Sequence, residues 1–131
     1  MNLQEIFDEV ATHLLTQNAK SVRHLPGLLI ECAYRGLNGM KCAIGCLIPD
    51  EQYHPGLENK TPITKEVHAA LGFAYSPTYS VLGNRLLTLQ KIHDKHEPSE
   101  WLAELEAFAQ THGLSSAALD PFRPKEKETT Q

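Results

Sequence analysis

The residues best suited to chemistry are the three cysteines, which all fall between positions 32 and 46. Thiolates bind zinc or attack substrates, so a cluster of them raises both possibilities. On a regular strand Cys42 and Cys46 would lie about 13 Å apart, too far to share one tetrahedral ion unless the chain breaks at Gly45. A contact of Cys32 with Cys42 or Cys46 is also compatible with the pattern. The simpler interpretation is that all three are small buried residues, since free cysteine is among the most often buried types.

A second set is the sequence His93-Asp94-Lys95-His96, which places two histidines one helical turn apart. Such pairs bind metals, but no glutamate completes a zinc-protease pattern, and His93 falls on an apolar helical stripe. We therefore interpret His93 as a hydrogen-bonded packing residue and His96 as an exposed residue at a helix end. A site shared between these histidines and the cysteines is the alternative. The sequence predicts no metal and no cofactor.

A third set contains the residue types of a thiol hydrolase, with Cys46 as the nucleophile and His54 as the base. Asp50 would orient the histidine. Nothing in the spacing orders these groups, and 7 histidines and 16 acidic residues make such combinations common in this chain. Glycine-rich phosphate-binding loops and the Gly-x-Ser-x-Gly motif are absent. We therefore favour a protein that is not an enzyme.

Composition narrows the class of protein. A chain of 131 residues predicts one domain, and a net charge of −4 argues against non-specific nucleic-acid binding, which needs a basic face. Charged residues interrupt the first 19 positions, so no signal peptide is expected, and no later run reaches the roughly 20 apolar residues of a membrane span. We expect a cytoplasmic protein with reduced thiols and no membrane partner. The oligomeric state is not indicated.

The pair Asn38-Gly39 between two alternating runs predicts a β-hairpin over about residues 30–47. A three-residue loop, 37–39, with Gly39 in the left-handed region pairs Gly36 with Met40 and Cys32 with Ile44. Tyr34 then pairs with Cys42. The predicted inner face holds Cys32, Tyr34, Met40, Cys42, Ile44 and Cys46, and the outer face holds Glu31, Ala33, Arg35, Lys41 and Ala43.

Capping signals and helical periodicity predict four helices. They run from Asn2 to about Asn18, from Thr61-Pro62 to Gly72, from Ser76-Pro77 to about Lys95, and from Pro98 to Gly113, with Leu114 folding back in a Schellman contact. We therefore predict a small single α+β domain over residues 1–119. In it the hairpin packs against the N-terminal helix and the three C-terminal helices. Residues 120–131 are expected to form a disordered tail.

The segment from about residue 49 to 60 has no periodicity and is a candidate binding surface, because long loops on a rigid scaffold often carry function. It follows the outer hairpin face, so charged and aromatic residues from both would form one mixed patch. The predicted partner- or ligand-binding residues are Arg35, Lys41, Asp50, Glu51, Tyr53, His54 and Glu58. The alternative is that the loop only connects a strand to a helix.

Two tracts, CAYRGLNGMKCAIGCLIPDEQY and LLTLQKIHDKHEPSEW, resemble a group of short open reading frames found in bacteriophages and bacterial prophages. The resemblance covers about a third of the chain and transfers no catalytic residue. It implies a phage or prophage setting, in which small acidic proteins often bind a host protein or a host signalling molecule. We therefore expect a non-enzymatic binding protein, a phage-encoded inhibitor or modulator of a host protein such as a defence factor, acting in the host cytosol. The alternative is a small-molecule binder that sequesters a nucleotide-type ligand, with Arg35, Lys41, Tyr34 and Tyr53 supplying charge and stacking.

Overall fold

The computed structural model describes residues 1–76 and 80–124. Its helices are α1 (Leu3–Gln17), α2 (Lys65–Leu71), α3 (Val81–Lys95) and α4 (Pro98–Thr111), and its strands are β1 (Val22–Leu25) and β2 (Leu29–Cys32). Short 3₁₀ turns cover Leu37–Gly39, Gly45–Leu47, Asp50–Gln52, Pro55–Leu57 and Ala117–Phe122. The prediction of a small α+β protein with one antiparallel hairpin is confirmed. Within the described residues, no helix combines the length and apolar character that crossing a bilayer requires.

Helix α1 begins with the predicted capping box. The side chain of Asn2 accepts a hydrogen bond from the backbone N–H of Glu5 at 2.8 Å, and the Glu5 carboxylate accepts one from the N–H of Asn2 at 3.0 Å. Its fully buried apolar stripe is Ile6, Phe7, Val10, Ala11 and Leu14. The stripe packs against α4, where the rings of Phe7 and Phe108 stack with centroids 5.9 Å apart. The core therefore lies between the first and last helices.

The hairpin lies earlier in the chain than predicted. Strands β1 and β2 pair antiparallel, and residues 26–28 form the loop that joins them. Cys32 pairs with Val22, whereas the predicted 30–47 hairpin placed it opposite Ile44. The reason is that the Pro26-Gly27 break is itself the reversal, with Gly27 and Leu28 both left-handed at φ 82° and 68°.

The predicted turn at residues 37–39 nevertheless forms, and its register is right. Asn38 and Gly39 are both left-handed, and the N–H of Gly36 donates to the carbonyl of Met40 at 2.9 Å. Arg35 and Lys41 form an isolated bridge in the register expected.

Pairing does not extend beyond this bridge, because the chain turns at Gly45 and passes directly over the backbone of Tyr34. A Cβ atom at Gly45 would lie 2.1 Å from the Tyr34 carbonyl oxygen. This crossing buries Ala33 and Ala43, so the predicted sorting of residues onto an outer face is wrong at these two positions.

The remaining helices follow the predicted order, with two later starts. Thr64, three residues after Thr61, caps α2, and Ser80 rather than Ser76 caps α3. Pro77, part of the predicted start of α3, lies outside the described residues. Gly72 ends α2, Lys95 ends α3, and α4 runs from Pro98 to a Schellman motif in which the N–H of Leu114 donates to the carbonyl of Ala109 at 2.9 Å.

The ordered chain continues past the predicted tail boundary at residue 120. The 3₁₀ turn Ala117–Phe122 packs on α1 with Leu119 fully buried, and Arg123 binds Glu106 at 2.7 Å. The side chain of Gln4 hydrogen-bonds both the N–H (2.8 Å) and the carbonyl (3.0 Å) of Ser115. The expected tail at residues 125–131 lies outside the described residues.

Candidate functional site

Five of the seven predicted binding residues meet around the guanidinium group of Arg35. This group donates to the Asp50 carboxylate and to the Ile48 carbonyl, both at 2.5 Å, and lies 5.1 Å above the ring of Tyr53. The ammonium group of Lys41 lies 3.6 Å from the same Asp50 carboxylate. Hydrogen bonding from Arg35, and then the charge of Lys41, lower the pKa of Asp50. The pairing of Arg35 with Lys41 across the turn therefore places both cations on one acid.

The fifth member, Glu58, fastens the loop to the chain opposite. Its carboxylate accepts hydrogen bonds from the backbone N–H groups of Tyr34 at 2.8 Å and Arg35 at 3.1 Å, and from the Tyr53 hydroxyl at 2.6 Å. Burial, and then this hydrogen bond to Glu58, raise the pKa of Tyr53 to about 12. These polar groups bind one another, so the patch holds the loop in place.

Glu51 and His54, the other two predicted binding residues, lie on the exposed side of the loop. Neither side chain makes a hydrogen bond or ion pair with the described residues of the patch. The structure therefore brings together Arg35, Lys41, Asp50, Tyr53 and Glu58 and leaves Glu51 and His54 apart.

The thiols have the environment of packing residues. The Cys46 thiol donates to the carbonyl of Ala43 at 3.0 Å, and burial raises its pKa to about 12. Burial also raises the pKa of Cys42, which is completely enclosed. Among the described residues Cys46 has no hydrogen bond to His54, so this pair lacks the contact that a thiol hydrolase needs.

The structure does bring one cysteine to the histidine motif: ligand atoms of Cys32, His93 and Asp94 all lie within 4.8 Å of one another. Burial, and then the charge and hydrogen bonding of Asp94, raise the pKa of Cys32 to about 11. At neutral pH this thiol is protonated and lies close to the carboxylate of Asp94.

The protonation of His93 is fixed by a backbone donor. Its Nε2 faces the N–H of Ser21 at 2.9 Å, and an N–H group can only donate, so Nε2 accepts. The proton must then sit on Nδ1, which donates to Asp94 at 2.7 Å. A metal-bound histidine instead donates from its free nitrogen, so this geometry does not fit a metal ligand. His93 is fully buried and stacks on Trp101, as expected of a packing histidine, while His96 lies 3.8 Å from Glu104.

Beside this cluster lies a cavity of about 280 Å³, with walls from β2, the 58–61 segment and α3. Its polar lining includes Glu31, Cys32, Glu58, Lys60, Gln90 and Asp94. Gln90 fixes one wall, because its carboxamide accepts from the N–H of Ile44 at 3.0 Å and donates to Asp94 at 2.8 Å. Sequence reasoning missed Gln90; the only signal was a polar residue beside the stripe that His93 continues.

A different surface is formed by the tip of the hairpin. Leu28 is 97% exposed, Leu29 62% and Ile30 59%, next to the reversal at Pro26-Gly27. Three consecutive aliphatic residues at 28–30 are visible in the sequence, where they lead into the predicted hairpin. The sequence analysis did not include them among the candidate binding residues.

Comparisons of the chain with protein-family models, with curated proteins and with solved structures give no match.

Proposed function

We propose that the chain is a non-enzymatic binding protein that inhibits or modulates a host protein in the host cytoplasm, and that it contacts this partner with the apolar hairpin tip, residues 28–30. The single observation that carries the proposal is the exposure of Leu28, Leu29 and Ile30. The resemblance of two sequence tracts to phage open reading frames supports a host protein as the partner.

The folded structure gives little reason for a leucine at position 28. Almost its whole side chain is in water, so it buries no apolar area, and its left-handed backbone costs a residue other than glycine roughly 1–2 kcal/mol. Glycine or asparagine would form the same reversal at lower cost. A partner that covers the leucine side chain offsets this cost.

The charges beside the tip favour a protein partner with an apolar pocket. A bilayer surface or a nucleic acid would be met by unpaired basic residues. Arg23, the arginine in β1, is already paired with Glu31 directly across the hairpin. An exposed aliphatic cluster whose neighbouring arginine is already paired matches the buried centre of a protein interface.

The proposal is tested by photocrosslinking in bacterial host cells. A photoreactive amino acid replaces Leu29 in one variant and Val81, an exposed aliphatic residue on α3, in the control. We expect one specific adduct from position 29 that position 81 does not give. The crosslinked protein is then purified, and its affinity for the unlabelled chain is measured by calorimetry.

Binding should fall by at least about tenfold in the variant Leu28→Asn/Leu29→Ser/Ile30→Thr, since loss of two or more buried aliphatic anchors costs more than the equivalent free energy. The matched control, Ile63→Ser/Val81→Ser, removes exposed aliphatic side chains elsewhere and should bind as the wild type does. Equal binding by the tip variant and the control would contradict the proposed contact surface.

A further inference from the structure

The carboxylates that line the 280 Å³ cavity differ in whether a positively charged side chain pairs with them. Glu31 is paired with Arg23, but within the described residues no lysine or arginine nitrogen lies within 4.0 Å of Asp94 or Glu58. Lys60 also lines the cavity and pairs with neither of them. Two negative charges at this site are therefore held without a cation.

The partners of Asp94 are all neutral hydrogen-bond donors. They are the Gln90 carboxamide and the His93 ring, which is neutral because Nε2 accepts from Ser21, and the protonated Cys32 thiol lies close by. The Asp94 side chain is still 29% exposed and lies in the cavity wall. A carboxylate has about four acceptor positions, so Asp94 keeps capacity for a further donor from inside the cavity.

Glu58 resembles Asp94 in this respect, since its three partners are two backbone N–H groups and the Tyr53 hydroxyl. The contrast is with Asp50, whose side chain is 81% exposed and which nevertheless receives both Arg35 and Lys41. Arg35 and Lys41 therefore both pair with an exposed carboxylate, Asp50, which water alone would solvate. Asp94 and Glu58 lie in the concave site, where charge–charge interactions are stronger, and have no lysine or arginine partner among the described residues.

The sign of this field and the size of the cavity define the ligand. In the described part of the chain Asp94 and Glu58 lack a lysine or arginine partner and face one lysine in the lining, so the electrostatic potential attracts cations and repels phosphates, which disfavours a nucleotide-type ligand. A volume of about 280 Å³ lies just below the usual range of ligand pockets, so the occupant has to be small.

We infer that this cavity binds a small organic cation, an aliphatic primary amine, whose ammonium group donates to Asp94 in the field of Glu58. The inference rests on the cavity, its enclosing segments and the uncompensated charges together. It is independent of the hairpin tip, which lies at the opposite end of strand β2 from Cys32.

The inference is tested by titrating the purified protein with three four-carbon probes of similar size and different charge. These are 1,4-diaminobutane, the neutral 1,4-butanediol and the anion succinate. Calorimetry should detect saturable binding of the diamine, and the diamine should raise the melting temperature. Succinate and butanediol should give neither effect. An equal response to butanediol or succinate, or no response to the diamine, would overturn the inference.

Two substitutions with opposite expected effects on the affinity for the diamine test whether it binds in this cavity. Asp94→Asn should weaken diamine binding at least about tenfold, because it removes a charge-assisted hydrogen bond. Lys60→Gln should tighten it severalfold, because it removes a like charge from the cavity lining, and the backbone carbonyl of Lys60 that accepts from Tyr34 is retained. Asp50→Asn, outside the cavity, is the control and should bind as the wild type does.

The Lys60→Gln variant keeps the test decisive if Asp94→Asn fails to fold. Unchanged or weaker binding of the diamine by Lys60→Gln would place the amine elsewhere and overturn the inference.

Discussion

The backbone N–H of Ser21 donates a 2.9 Å hydrogen bond to Nε2 of His93, 72 positions later in the chain. Both residues are fully buried. This bond joins the base of the hairpin to α3, and it also sets the tautomer that lets His93 donate to Asp94.

The substitution His93→Leu should therefore cost about 2–4 kcal/mol of unfolding free energy, although the replacement is apolar and similar in size. It leaves the Ser21 N–H without an acceptor in the core and removes a donor from Asp94. Urea denaturation measures the change. His96→Gln, at the partly exposed end of α3, is the control and should change the free energy by no more than about 0.5 kcal/mol. A cost for His93→Leu no larger than that of the control would show that the hydrogen bond is unimportant.

Gly45 should tolerate no side chain. Its Cβ would lie 2.1 Å from a backbone oxygen of Tyr34, and a backbone atom in the core cannot move aside without repacking. We expect Gly45→Ala to destabilise the protein by about 3 kcal/mol or more, measured as a fall in melting temperature. Gly56→Ala is the matched control, since its nearest neighbour is the side chain of exposed His54 at 3.0 Å, and it should cost much less. Similar melting temperatures for the two variants would contradict the crossing at Gly45.

The ion pair of Asp50 predicts a dependence of stability on pH. Arg35, and then Lys41, lower the pKa of Asp50 in the folded state below its usual 3.8. Ionised Asp50 therefore favours folding above that value, and the contribution is lost as the pH falls through the lowered pKa. The melting temperature of the wild type should exceed that of Asp50→Asn at neutral pH, and this difference should shrink in strong acid. A difference that grows on acidification would contradict the pairing.

The same network makes the patch a poor place to test partner binding. Arg35→Glu together with Tyr53→Ala would break contacts to Asp50, Ile48 and Glu58, and would leave the carboxylates of Glu58 and Asp50 short of donors. Loss of function in that variant would therefore accompany a lower melting temperature. Glu51→Gln and His54→Ala are the appropriate controls, because these side chains lie on the exposed side of the loop and make no hydrogen bond or ion pair with the described residues of the network.

The three thiols should react slowly and in a defined order. Raised pKa values keep Cys32 and Cys46 protonated well above neutral pH, and Cys42 is completely enclosed. Iodoacetamide at neutral pH should label Cys32 before Cys46, since the pKa of Cys32 is raised to about 11 and that of Cys46 to about 12, and should label the buried Cys42 last. Mass spectrometry of peptides at successive times measures the order, and urea should make all three react quickly. Rapid labelling of Cys46 in the native protein would instead indicate an activated nucleophile.

The hairpin loop offers a pair of substitutions that separates folding from binding. Leu28→Gly should leave stability unchanged or raise it by up to about 1 kcal/mol, because glycine adopts the left-handed conformation without strain. Gly27→Ala, at the neighbouring left-handed position, should lower stability by about 1 kcal/mol. Thermal denaturation measures both. A clear loss of stability in Leu28→Gly would mean that the leucine supports the fold, which would remove the main argument for a partner at the tip.

Local rules predicted much of the secondary structure because the signals lie within a few residues of one another. The capping box of Asn2 and Glu5, the Schellman motif at Leu114 and the register of Arg35 with Lys41 are all of this kind. The position of the hairpin was wrong because its loop uses a leucine in the left-handed region, which residue propensity disfavours.

Local rules could not predict the candidate site, because it is formed by contacts between segments that are distant in the sequence. The turn at Gly45 depends on the backbone of Tyr34, and the cavity wall depends on a Gln90 carboxamide that bonds Ile44 and Asp94. The sequence pattern correctly placed Arg35 and Lys41 near Asp50 and Glu58, whereas Glu51 forms no ion pair with them in the described structure. It did not predict that most of their polar groups would bind one another, with Nε of Arg35 left buried and without a hydrogen-bond partner among the described residues.

The contact between Gln4 and Ser115 has a consequence for folding. It joins helix α1 to a residue 111 positions later in the chain. The apolar stripe of α1 packs on the Gly45–Leu47 turn, on α4 and on the turn that buries Leu119. Because contacts between distant positions require the closure of long loops, we expect the core to form later in folding than the individual helices.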